Sequence, residues 1–256
     1  VLSTVFLAGA DVTAKYLAAI LPALQIAWIR YAVFTAIVAA AALWRQEGNP
    51  LRSHRPGLQL ARGIGLVGSS LFFLTSLIYL PVAEATAISF ISPIFVTALS
   101  IPLLGETIGW RRWLAAIVGL GGVLIIVRPG TEAFQLASLL PILGALCWAA
   151  ALIATRQLAT TDSAATTMTY SALVGVVVLS VLVPFVWVPP TAFDLALGVA
   201  VGLLSTAGHW IVAAAYRNAA ASVLVPYSYT QIVWTSALGY LVFAAVPSVW
   251  TWTGAG

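Results

Sequence analysis

The chain has 256 residues, of which 62% are hydrophobic and only 7% charged, with a formal net charge of +4. A soluble domain carries about 25% charged residues, so a water-coated globule is excluded. The apolar runs also lack the period-two alternation of a membrane β-barrel, and lipid otherwise admits only helices. The expected fold class is therefore an all-α polytopic membrane protein.

Turn and charge signals cut the chain into spans at about 1–20, 22–44, 58–79, 82–104 and 108–127. After the Arg128-Pro129-Gly130 break come 136–157, 164–187, 193–215 and 221–243, and a tenth span begins near Pro247. So short a final stub cannot cross a bilayer, which takes about 20 residues, so most of the tenth helix is expected beyond Gly256. The chain opens at Val1, already inside an apolar run, so its first residues are expected to be missing as well. One cysteine, Cys147, excludes an internal disulfide and reads as packing.

Orientation follows from Lys and Arg, which stay cytoplasmic. Arg45, Arg52, Arg55, Arg62, Arg111, Arg112, Arg156 and Arg217 fall on one side if the N-terminus is cytoplasmic. Arg128 stands alone opposite, while Lys15 and Arg30 fall inside spans. This charge bias also explains the net positive charge without a nucleic-acid partner.

The stretch from Tyr79, YLPVAEATAISFISPIFVTALSIPLLGE, has a blurred copy from Tyr216, YRNAAASVLVPYSYTQIVWTSALGYLVF. Five spans per unit would flip the second copy, and the loop charges reverse accordingly. GETIGWRR lies inside and AAVPSVW outside; RQEGNPLRSHR lies inside and VPPTAFD outside. The expected organisation is thus ten helices in two inverted five-helix repeats, 1–127 and 136–256, joined by a periplasmic linker at 128–135. Such repeats place a substrate near the membrane midplane and rock to give alternating access. Gly63, Gly65, Gly68, Gly119, Gly121 and Gly122 read either as close-packing positions or as ordinary membrane-helix glycines.

AEATAISFISPIFVTALSIPLLGE, the following GWRRWLA, the RPG after the fifth span and the second-half WTWTGA resemble the drug/metabolite transporter superfamily, EamA type. Asp11, Lys15 and QIAWIRY at Gln25–Tyr31 fit the same pattern across essentially the whole chain. The resemblance implies ten helices and transport of small metabolites across the cytoplasmic (inner) membrane of a bacterium, with similarity to aromatic amino acid exporters. Where the second repeat often carries Gly-Glu, this chain has Ala244-Ala245, which argues against a coupling carboxylate there.

Ionisable groups inside spans are functional candidates. Asp11 and Lys15, four residues apart, share a helix face and either pair with each other or offer Lys15 to a substrate carboxylate. Arg30 either meets a ligand, binds a carbonyl or snorkels. His209, in the Ser205, His209, Val212, Tyr216 stripe, reads as a satisfied buried histidine or a proton-coupling group. Tyr79, Trp148, Tyr227, Gln231 and Trp234 complete the expected substrate-binding set, an aromatic cavity with a few polar tips; core packing is the competing reading for each. Glu84 suits a helix N-terminus. Prolines 93, 102, 184 and 226 are expected to kink helices.

The expected function is alternating-access carriage of small amphipathic metabolites, amino acids and especially aromatic ones first, with export favoured. Riboflavin, nucleosides and S-adenosylmethionine are the alternatives, and a channel or integral-membrane enzyme the remote ones. The expected partners are the lipid bilayer and a small molecule, the chain being a monomer or weak dimer. No catalytic residue, metal or cofactor is expected.

Overall fold

The computed structural model describes residues 1–45, 51–105, 107, 109–128, 135–218, 227, 229–245 and 248–255. Most of the expected linker (129–134), Glu106 and Pro226 lie outside the described residues, as does the side chain of Tyr216.

The described chain is helical without strands. Its helices are α1 (Leu2–Ala18), α2 (Ala23–Arg45), α3 (Pro56–Tyr79), α4 (Val82–Ser89), α5 (Ser92–Leu104) and α6 (Trp110–Val127). They continue as α7 (Leu139–Leu158), α8 (Ala164–Leu182), α9 (Ala192–Asn218), α10 (Thr230–Phe243) and α11 (Val249–Ala255). Six stretches among the described residues are long and apolar enough to cross a bilayer, from Ala23–Trp44 to Ala192–Val212. Large apolar side chains such as Ile117, Val177, Phe185 and Trp210 stand exposed on the outside, as lipid-facing surface should.

The helix ends follow local chemistry. Pro56 stands in the first turn of α3, where a missing N–H costs nothing. Ser163 caps α8, its Oγ accepting from the Thr166 N–H at 3.0 Å. α5 ends on Gly105 at φ 66° and α10 on Ala244 at φ 53°, both left-handed. That conformation suits glycine and strains alanine. The Ala244 that departs from the Gly-Glu pattern thus takes the backbone shape a glycine would have taken.

One expectation is corrected in detail. The span at 82–104 is not one kinked helix but two helices, α4 and α5, interrupted at Phe90 and Ile91. Pro93 has no N–H to give Ser89, and its ring crowds that carbonyl. The Phe90 and Ile91 N–H groups turn to the carbonyls of Ala87 and Ile88, at 3.2 and 3.1 Å. Pro102 remains inside α5, whereas Pro184 falls in the 3₁₀ turn Val183–Val186 that continues α8.

In the packing, α3 lies along α7 and α1 along α9. α2 crosses α8 and α9, α3 also touches α8, α5 packs on α7, and both α1 and α4 meet α10, while α6 meets α11. The core is built from Leu17, Ile26, Leu74, Leu77, Leu80 and Ile88 together with Ile153, Leu179 and Val201. Glycines set the closest approaches. A Cβ on Gly65 would stand 3.1 Å from the Cys147 carbonyl, and one on Gly208 would stand 2.8 Å from the Leu7 side chain. Gly63, Gly65 and Gly68 therefore lie at helix contacts, whereas a Cβ on Gly121 would meet nothing within 4 Å.

Candidate substrate site

Asp11 and Gln231 meet between α1 and α10. The Gln231 amide donates to Asp11 Oδ2 at 2.9 Å. Two turns back along the same face of α1, the Thr4 and Thr230 hydroxyls pair at 2.8 Å. The carboxylate is thereby held without an arginine or lysine. Arg30 stands on α2 with its Nη2 donating to Ser70 Oγ on α3 at 2.5 Å. Its charge is within electrostatic reach of both Asp11 and His209.

His209 lies within the apolar span Ala192–Val212 and is exposed. Its Nδ1 lies 2.7 Å from the Ser205 carbonyl one turn earlier. A carbonyl can only accept, so Nδ1 donates in this contact, and in the neutral tautomer Nε2 is left as an acceptor. The Trp148 ring of α7 lies beside it, centroids 6.1 Å apart and tilted by 58°. Asp11, Arg30, Trp148, His209 and Gln231 therefore converge from α1, α2, α7, α9 and α10.

Lys15 does not join them, and it does not pair with Asp11. Its ammonium donates to the carbonyls of Leu77 and Leu80 at 2.7 and 2.8 Å. The Leu77 carbonyl would ordinarily accept from the N–H four residues on, but that residue is Pro81, which has none. Lys15 supplies the missing donor at the end of α3.

Tyr79 is the last residue of α3 and is 60% exposed; no contact among the described residues brings it to the cluster. Tyr227 lies before α10 with its carbonyl accepting from Thr230 Oγ1 at 2.7 Å. Trp234 stands one turn beyond Gln231 on α10, half-buried. Glu84 lies in the first turn of α4, where the helix dipole favours it.

Two features were not expected from the sequence. Tyr229 stacks on Phe90, ring centroids 5.0 Å apart, joining the start of α10 to the break after α4. Arg62, assigned to the basic flank, is engaged between helices. Its Nε donates to Thr155 Oγ1 on α7 at 2.6 Å, and its Nη1 to the Thr167 carbonyl on α8 at 3.2 Å and to Ser171 Oγ. Its place six residues inside α3 was the available signal. Below it, Asp162 accepts from Ser53 Oγ, from the His54 N–H at 2.9 Å and from Gln59 Nε2 at 2.8 Å. Partial burial works against that carboxylate's charge, but the three donors outweigh it and hold its pKa below the ordinary value.

A bundle of apolar helices with a polar and aromatic cluster gathered across it defines a multi-pass membrane transporter. The EamA-like transporter family model matches this chain twice, at residues 1–128 and 135–256. The chain belongs to the EamA-like transporter family, within the drug/metabolite transporter superfamily, and is a multi-pass protein of the bacterial inner membrane. It is 30% identical over 254 residues to an S-adenosylmethionine uptake transporter of Rickettsia felis, covering 99% of this chain and 86% of that one. It is 29% identical to a riboflavin transporter of Vibrio cholerae (92% and 80% covered) and 27% identical to a pseudopaline exporter of Pseudomonas aeruginosa (94% and 84%). A solved crystal structure at 21% identity matches it with a TM-score of 0.68 over 98% of this chain and 89% of that one, which shows the fold. These relatives are transporters; the chain is not an enzyme.

Proposed function

We propose that the protein carries small amphipathic metabolites across the inner membrane by alternating access between two inverted five-helix repeats, with its N-terminus cytoplasmic. The observation that carries this reading is the assembly of one polar cluster from both matched segments. Asp11 and Arg30 come from the first; Trp148, His209 and Gln231 come from the second.

The packing supports the repeat. Let α1, α2, α3, α4 with α5, and α6 correspond to α7, α8, α9, α10 and α11. Exchanging the halves then turns α3–α7 into α9–α1, α2–α9 into α8–α3, and α5–α7 into α10–α1. The pairs α2–α8, α4–α10 and α6–α11 map onto themselves. A two-fold relation of this kind is what inverted-repeat carriers use to expose one site to alternate sides.

The cluster presents a carboxylate, a guanidinium, an amide, an imidazole and an indole. That set suits a cargo with an aromatic portion and a charged end, among which S-adenosylmethionine, riboflavin and aromatic amino acids form the test panel. Uptake and export transporters both occur among the relatives, so direction is read from the same flux measurement. Purified protein in liposomes is expected to give saturable flux of at least one panel member; no flux for any would sink the reading, and linear flux would favour a channel. Gln231→Ala and Trp234→Ala are expected to weaken transport by about tenfold each with folded yield intact. Unchanged kinetics in both would return α10 to a packing role.

A further inference from the structure

Two arginines inside the candidate spans have no acid to pair with among the described residues. We infer that Arg30 and Arg62 are successive stations for a carboxylate group of the cargo, Arg30 at the central cluster and Arg62 closer to the side that bears Asp162. The inference rests on the carriage reading above.

Arginine does not lose its proton in proteins, and a cation inside a span is costly unless an anion or a full set of acceptors meets it. Arg30 is bonded to the Ser70 hydroxyl, and Arg62 to Thr155, Ser171 and the Thr167 carbonyl. All four partners are neutral. Among the described residues no carboxylate lies within ion-pair distance of either arginine, and the Nη2 group of Arg62 has no partner. Asp11, whose charge reaches Arg30, is held by the Gln231 amide instead. One face of α3 carries a second unfilled group, for Gln59 is fully buried and its Oε1 has no donor.

Both stations border α3. Ser70 and Arg62 are eight residues apart on α3, about 12 Å at 1.5 Å per residue. Tyr31 follows Arg30 on α2 and packs against α8. Its ring fills the space left by Gly175 on α8, one turn beyond the Ser171 that holds Arg62. The Arg30 guanidinium carbon lies 5.6 Å from the centre of that same ring. The buried Tyr31 ring thus stands beside Arg30 and packs on α8 one turn from the Ser171 that binds Arg62.

The ligand class this selects is a carboxylic acid, and with Asp11 beside Arg30 a zwitterion fits best, its ammonium on Asp11 and its carboxylate on Arg30. At the second station the forked guanidinium of Arg62 receives the carboxylate as the cargo moves on.

The test uses matched pairs with and without the acid: S-adenosylmethionine against its decarboxylated form, and L-tryptophan against tryptamine. Flux into and out of liposomes is measured with the protein in known orientation. Arg62→Gln is expected to raise KM for the acids about tenfold or more from the side bearing Asp162, leaving the decarboxylated partners within about twofold. Arg30→Gln should raise KM for the acids from both sides. If Arg62→Gln yields no folded protein, Arg62→Lys decides alone: it keeps the charge but loses the fork, so acids should weaken and their partners should not. Equal losses for acids and partners would overturn the inference and leave Arg62 as a clasp between α3, α7 and α8; no change for either would overturn it too. Flux without preference for the acids overturns this inference alone, whereas absence of flux for every pair overturns the carriage reading along with it.

Discussion

The two segments that match the same family model divide their chemistry unequally. The first carries charge well inside its helices, at Asp11, Arg30 and Arg62, besides Lys15 and Glu84 in end turns. The second keeps its charged residues at helix ends or between helices, as Arg156, Asp162, Asp194 and Arg217. What it contributes to the interior is neutral: Trp148, Thr155, Ser171, His209 and Gln231. Each in-span charge that reaches across is met by a neutral hydrogen-bonding group, as Asp11 by Gln231 and Arg62 by Thr155. A joint between charge and neutral polarity can open at lower cost than a buried ion pair, whose separation leaves two stranded charges. The asymmetry suits surfaces that part repeatedly, as the proposed alternating access requires.

Discharging the first segment should have the largest effect. Asp11→Asn keeps an amide beside Gln231 but removes the only carboxylate of the cluster. Flux of any zwitterionic substrate is expected to fall about 100-fold, read as initial rates in liposomes. Adding Gln231→Glu to that variant moves the carboxylate to the second segment, and recovery of at least a tenth of the lost rate would show that sign matters more than the segment supplying it. Flux unaltered by Asp11→Asn would end the electrostatic reading.

Lys15 sharpens the contrast from the other direction, since its charge serves the backbone. Lys15→Met should strand the Leu77 carbonyl and destabilise the protein by about 1–3 kcal/mol, seen as a lower melting temperature in detergent, with KM unchanged. A raised KM at unchanged melting temperature would restore Lys15 to the binding set. The smallest effect belongs to the helix caps. Ala244→Gly relieves the left-handed strain that Gly105 avoids in the first segment, for a gain of about 1 kcal/mol. A melting temperature left unmoved would show that this cap does not limit stability.

Much of this was legible in the residues. Composition and apolar run length gave the fold class, and loop charges gave the inverted arrangement now proposed. Asp11, Arg30, Trp148, His209 and Gln231 stood out as polar or aromatic groups inside apolar runs. Helical spacing could not separate Asp11 from Lys15, because four residues keep them on one face. The deciding fact was the absent N–H of Pro81, sixty-six residues further on, which creates a demand only when α1 and α3 lie together. The bonds Arg62 makes between helices were hidden for a related reason: near a span end a cation reads as an anchor until the helices around it are known. The break after Phe90 depended on Pro93, whose presence was plain but whose choice between bending and interrupting the helix rests on tertiary contacts.

That interruption has a mechanical consequence. The backbone at Phe90 and Ile91 has already given up regular helical bonding, so bending there sacrifices little. On one side α4 is buried against α10, with Phe90 stacked on Tyr229; on the other, α5 runs along α7. The first piece of this one span packs on α10, α7 and α6, the second chiefly on α7. The span can act as an articulated joint, letting α7 and α10 take up new relative positions while the chain between them stays continuous and folded.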